Sequence, residues 1–186
     1  MRHLAGCFGR GASHIDARDA IGYSMGMRDA STSHSTIVLG SMFDAAASDV
    51  YAAFSDPREL QRLGAAGTGA AVVVDEVDFQ PGGRCVYRFG ARRRPRFRGS
   101  MNYVDIVPGH RIVATEAVFE REIALTLSIT TLEFRAIGAG TELKLTVQSA
   151  ALDGADGIEG AGPGSEILFA NLGPYLEEIS RLRLGY

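Results

Sequence analysis

Tryptophan is absent from the 186-residue chain, cysteine occurs twice, and Lys144 is the only lysine. Cys7 and Cys85 stand in unlike contexts with no C-x-x-C spacing, which argues against a disulfide scaffold and a cysteine-based zinc site and points to a reducing compartment. The scarcity of lysine leaves arginine as the general cation, a genomic bias before it is a functional one. No run approaches the roughly 18 consecutive apolar residues of a membrane helix, and residues 1–34 lack the apolar centre of a secretory signal. A formal net charge of −3 and a pI near 5.8 give no overall attraction to phosphate backbones or anionic lipid. Neither nucleic acid nor membrane insertion is expected, and the expected location is cytoplasmic.

What remains is the composition of one folded domain, with 46% hydrophobic and 22% charged residues. Residues 1–34 show no sustained period and read as a disordered N-terminal extension. Asp16, Asp19 and Asp29 argue against an acid-poor transit peptide despite the arginines among them. Residues 35–186 read as the domain. Thr36 to Phe43 has strand character, and Ser48 or Asp49 would cap a short helix with Val50, Tyr51 and Phe54 on its apolar side. Pro57 opens a second short helix. Six β-type runs follow, separated by turn chemistry such as Pro81-Gly82-Gly83 and Gly138-Ala139-Gly140. In the long run from Ile123, the residues Leu125, Leu127 and Ile129 share one phase and Leu132 and Phe134 the other, which predicts a β-bulge near Thr130-Thr131. The glycines from Gly154 to Gly164 read as a flexible loop able to gate a cavity. Ser165 would then cap a C-terminal helix carrying Leu168, Leu172, Leu176 and Ile179, kinked or split at Pro174. Clustered strands with helices at the ends give an α+β class, a curved antiparallel sheet packed on one long helix.

The strings Asp78-Phe79-Gln80-Pro81-Gly82-Gly83, Tyr103-Val104-Asp105-Ile106-Val107-Pro108, Arg111-Ile112-Val113, Gly140-Thr141-Glu142-Leu143 and Leu152-Asp153-Gly154 resemble the START-like, or SRPBCC, superfamily. Within it they are most similar to the branch of homologues of the heat-shock chaperone ATPase activator, often labelled polyketide-cyclase-like. The resemblance covers roughly residues 36–182. It implies a helix-grip fold whose sheet wraps the C-terminal helix and encloses an apolar cavity, with the two short helices near its mouth. Two departures stand out: Arg62-Leu63-Gly64 where relatives usually carry tryptophan, and Val147 in Thr146-Val147-Gln148 where many carry an acid.

Lining residues for such a cavity are Tyr87, Phe89, Met101, Tyr103, Glu116, Leu127, Ile129, Val147, Leu168 and Leu172. Glu116 shares its phase with Ile112, Ala114 and Val118; an inward carboxyl there would carry a raised pKa and could serve as general acid or base with Tyr103, whereas an outward one would simply meet solvent or an arginine. Tyr87 and Tyr103 suit a cavity wall or a plain core. His110 reads as an exposed turn residue, and Cys85 as an inert buried thiol. The segment Arg92-Arg93-Arg94-Pro95-Arg96-Phe97-Arg98 reads as a solvated loop, with an acidic partner or phosphate as the alternative. No metal-ligand spacing and no nucleophile set is present, so neither metal nor cofactor is expected. Three functions follow from the resemblance: binding of a lipid or other small hydrophobic molecule, an enzyme of cyclase, dehydratase or hydrolase type, or a chaperone-cofactor-like interaction module. The binding protein is the leading expectation, with catalysis not called for and a homodimer left open.

Overall fold

The computed structural model describes the backbone of residues 31–65, 70–152 and 156–184, and the side chains of these except 65, 70, 156–167 and 184. The order is β1 (Ser33–Phe43), α1 (Ala47–Ser55), α2 (Pro57–Ala65), β2 (Ala70–Val77), β3 (Arg84–Ala91), β4 (Arg94–Val107), β5 (Arg111–Glu120), β6 (Ile123–Ile137), β7 (Gly140–Ala151) and α3 (Asp156–Leu184). The seven strands form one antiparallel sheet ordered β1-β7-β6-β5-β4-β3-β2. It is the helix-grip arrangement: a curved sheet holding α3, with α1 and α2 between β1 and β2. The extension expected over residues 1–34 lies outside the described residues except at its end, where β1 takes in Ser33 and His34.

Alternation divides each strand between an inner face, toward α3, and an outer one. Leu143, Leu145 and Val147 of β7, Leu132 and Phe134 of β6, Ile112 and Ala114 of β5, Tyr103 of β4 and Cys85 of β3 are buried on the inner side, where Leu172 and Leu176 of α3 meet them. Tyr51 and Phe54 of α1 pack edge-on against Phe134 at centroid distances of 5.3 and 5.9 Å, closing one end of this core. Asn171 Nδ2 donates to the Leu63 carbonyl at 3.0 Å, tying α3 to the end of α2. Thr141 is fully buried and its hydroxyl donates to the Ala45 carbonyl at 2.7 Å, holding the β6–β7 hairpin to the entry of α1. Thr141→Val keeps the shape and strands that carbonyl, so a loss of about 1 kcal/mol in urea-denaturation stability is expected.

Several local expectations change. α1 has Ala46 at its N-cap and no side-chain cap, while Asp49, which the sequence offered as a cap, sits in the first turn, where a carboxylate complements the helix dipole. α3 already begins at Asp156, so Gly157, Gly160, Gly162 and Gly164 belong to its first turns and Ser165 is no N-cap; intrinsic propensity is a weak prior. The helix also continues through Pro174. Both Pro174 and Ala170 are exposed, so the carbonyl deprived of its amide partner faces water rather than the core. The arginine-rich loop shrinks to a tight turn, and Arg94 to Arg98 lie in β4.

No bulge occurs at Thr130-Thr131. β6 pairs with β7 in unbroken register from Thr126 to Ile137, and the phase change is a change of face. Leu127 and Ile129 point outward, 49% and 46% exposed, while Leu132 and Phe134 are buried. The extra residue in β6 is Leu125, opposite Val118 and Phe119, and further register shifts fall at Asp75, Val104 and Arg96. Such interruptions increase local twist and bend a sheet.

Candidate functional site

The inner face is not sealed uniformly. Around Leu132, Leu143 and Tyr103 it is close-packed core, but one step along β3, β4 and β5 Tyr87, Met101 and Glu116 are only partly buried. Register places these groups together. Met101 of β4 is directly opposite Glu116 of β5, and Tyr87 of β3 is opposite Gly99 of β4. Glycine at 99 removes the side chain that would stand between β3 and β5: a Cβ there would lie 2.7 Å from Tyr87 Oη, with the ring closer still. The phenol therefore lies across β4, and its hydroxyl donates to Glu116 Oε1. Glycine in a strand interior commonly marks such a close approach.

On its other side Glu116 accepts a hydrogen bond from the Ser128 hydroxyl, its register partner on β6. The row continues through Ser149 of β7 to Ser35 of β1, whose hydroxyls are 3.0 Å apart. A polar stripe thus crosses a mostly apolar inner face. Burial raises the Glu116 carboxyl above its ordinary value of 4.5, against the two hydroxyl bonds that favour the ionised form. Burial, and then the neighbouring Glu116 charge, hold the Tyr87 phenol well above 10.0, so it remains a donor. No lysine, arginine or histidine pairs with Glu116 among the described residues; the ion pairs there join other acids at the surface.

Tyr103 is not the partner of Glu116. It is 4% exposed, packs edge-on against Phe79 at 4.9 Å and donates to the Cys85 thiol, whose pKa burial raises. Phe89 stacks on Phe97 at 5.3 Å beside Tyr87, and Leu168 packs against the core from α3. Val147 and Leu172 are core, at 6% and 0% exposure. Eight of the ten residues named from sequence therefore lie on the inner side or on α3 facing it, and Leu127 and Ile129 do not. Those two help line an open trough of about 640 Å³ together with Thr36, Thr115, Phe119 and Gln148, and Glu116, Ser128, Ser149 and Ser35 of the polar row border the same trough. Arg98 lies over Phe119 at its rim, 4.5 Å from the ring centroid, and Arg96 pairs with Glu120. His110 is an exposed turn residue whose carbonyl accepts the Phe134 amide at 2.8 Å.

Gly99, Ser128, Ser149 and Ser35 were not singled out by sequence reasoning. Their signal was available: each is a small or polar residue sitting in the apolar phase of its strand. Among the described residues no group of three or more metal-ligating side chains gathers, and no helix is long and apolar enough to cross a membrane.

Known proteins share this architecture. The Mll3558 protein of Rhizobium loti is 32% identical, with 78% of this chain and 99% of that one covered and a TM-score of 0.69. A putative uncharacterized protein of Rhizobium leguminosarum is 28% identical over 80% and 97% of the two chains, with a TM-score of 0.72. Protein CV1439 of Chromobacterium violaceum is 27% identical over 76% and 96%, with a TM-score of 0.66. No curated protein matches the chain. Residues 44–177, from the loop before α1 into the last third of α3, match the family described as Activator of Hsp90 ATPase homolog 1-like protein, and the chain belongs to that family, within the START-like superfamily.

Proposed function

We propose that the protein binds a small hydrophobic molecule against the inner face of the sheet, with its apolar part on Tyr87, Phe89, Met101 and Leu168 and its polar end at Glu116. The observation that carries this reading is the Glu116–Tyr87 pair: a carboxyl and a phenol held together by a glycine gap, partly accessible, at the end of a polar row on a mostly apolar face. Pockets that orient small ligands combine mostly apolar walls with a few convergent polar groups. A purely structural row would have no need of a carboxyl that burial disfavours. The family is commonly ligand-binding, which agrees with this placement.

Native mass spectrometry of protein purified from its host, or after exposure to an apolar extract, tests it. A retained apolar species is expected in the wild type and in Leu127→Arg, which alters only the outer face, and is expected to vanish in Met101→Arg. Loss through Leu127→Arg alone would move the site to the outer trough. An empty protein whose melting temperature no extract shifts would overturn the reading. The same Glu116–Tyr87 pair is what a cyclase, dehydratase or hydrolase would use for proton transfer, and consumption of the retained molecule with time is the outcome that would favour an enzyme.

A further inference from the structure

The inner-face site holds a carboxyl group with no cationic side chain beside it among the described residues. Glu116 has two neutral donors, the Tyr87 and Ser128 hydroxyls. The sequence extends this imbalance. Between Lys144 and Arg181 there is no lysine, arginine or histidine, while Asp153, Asp156, Glu159, Glu166, Glu177 and Glu178 all fall in that stretch. Of these acids Glu177 is matched by Arg181 and Glu178 by Arg62, and the half of β7 after Lys144 carries no charged side chain at all, so β7 offers Glu116 no cation. The chain's arginines instead concentrate on β3, β4 and the last turn of α3, where Arg84 pairs with Glu76, Arg88 with Asp75, Arg96 with Glu120 and Arg183 with Asp49. A carboxyl taken from water into an apolar site either keeps its proton or is held ionised by an opposite charge, and where the protein supplies no such charge a cationic ligand can.

We infer, resting on the binding reading above, that the ligand is a protonated apolar amine, its ammonium group seated on Glu116 between the Tyr87 and Ser128 hydroxyls and its hydrocarbon against Met101, Phe89 and Leu168. An ammonium has three donors and so can use the free lone pairs of both carboxylate oxygens. A fatty acid would place a second carboxylate against the first, and an alcohol would add one more neutral group to a site that already has two.

The test uses three probes with one hydrocarbon chain: decylamine, decanol and decanoic acid, titrated calorimetrically at neutral pH below their aggregation limits. Decylamine is expected to bind about ten-fold more tightly than decanol, the scale of one charge-assisted contact, and decanoate more weakly than either. Glu116→Gln is nearly isosteric; it should bring decylamine to within about two-fold of decanol by removing that contact, while decanol affinity changes little. Glu133→Gln, which removes a surface charge of the same sign, should leave the preference intact. Decanol or decanoate binding as tightly as the amine, or an amine preference that survives Glu116→Gln, would overturn the inference. The cavity reading is judged separately by Met101→Arg: loss of decanol binding there supports the site even if no preference for amine exists, and failure of all three probes to bind counts against both.

Discussion

Gly99→Ala is expected to destabilise the fold by about 2–4 kcal/mol, a large effect for one methyl group on a half-exposed sheet. The added Cβ would meet the Tyr87 ring, with Oη only 2.7 Å away. The ring is at the far end of its side chain, which ordinarily makes such a collision cheap. Here the swing is confined by Phe89, whose ring is 5.7 Å from that of Tyr87, and by the bond to Glu116. Moving the ring therefore breaks the hydrogen bond and leaves a buried carboxyl with one donor fewer. Overpacking contributes about 1–3 kcal/mol and the stranded acceptor a similar amount. Urea denaturation of Gly99→Ala, Tyr87→Leu and the double variant separates the cause. If the collision is the mechanism, the double variant is less destabilised than the two singles summed, because leucine has no ring to strike. Additive effects would show that alanine acts at Gly99 through the strand alone.

How much of this site could be seen in the sequence depends on what periodicity encodes. Element order and the sheet's antiparallel character followed from alternation and turn chemistry, because those patterns are local, whereas alternation placed Glu116 in the phase of Ile112 and Ala114 and still left open whether its carboxyl meets solvent. Leu127 and Ile129 lie on the face opposite to the one their hydrophobicity suggests, because apolar character alone does not signal burial and the strand changes face at Thr130-Thr131 without a bulge. The unbroken β6–β7 register shows an apolar outer face instead. An antiparallel sheet fixes which residues share a side but not which side is dry. The pairing of Glu116 with Tyr87 rather than Tyr103 was out of reach altogether. It depends on inter-strand register across β3, β4 and β5, and on a glycine whose role is to be absent between two other side chains. Only the phase of Gly99 and of the three serines hinted at it.

Stability should depend on pH through Glu116 in a direction opposite to that of a paired surface acid. Burial raises its folded-state pKa above 4.5, the value it would have in an unfolded chain. Below 4.5 both states carry the proton and the group is neutral toward folding. As pH rises past that point the unfolded chain ionises freely while the folded protein resists, so the stability belonging to the protonated form is lost progressively until pH reaches the raised folded value. Asp75 and Glu120 work the other way: Arg88 and Arg96 lower their values, so they contribute stability above the ordinary carboxylate range that is lost on acidification. Both are exposed enough for salt to weaken them. Comparing wild type with Glu116→Gln cancels those contributions and leaves the buried one. Glutamine does not titrate, so the variant should gain stability relative to wild type as pH climbs above 4.5, by about 1.4 kcal/mol for each unit by which the folded pKa is raised. The difference should then level off. Urea midpoints from pH 4 to pH 8 measure it. A difference that stays flat across that range would mean the carboxyl ionises in the fold as easily as in water. A saturating amount of decylamine should flatten the wild-type curve by supplying the missing positive charge, whereas decanol should leave its slope in place.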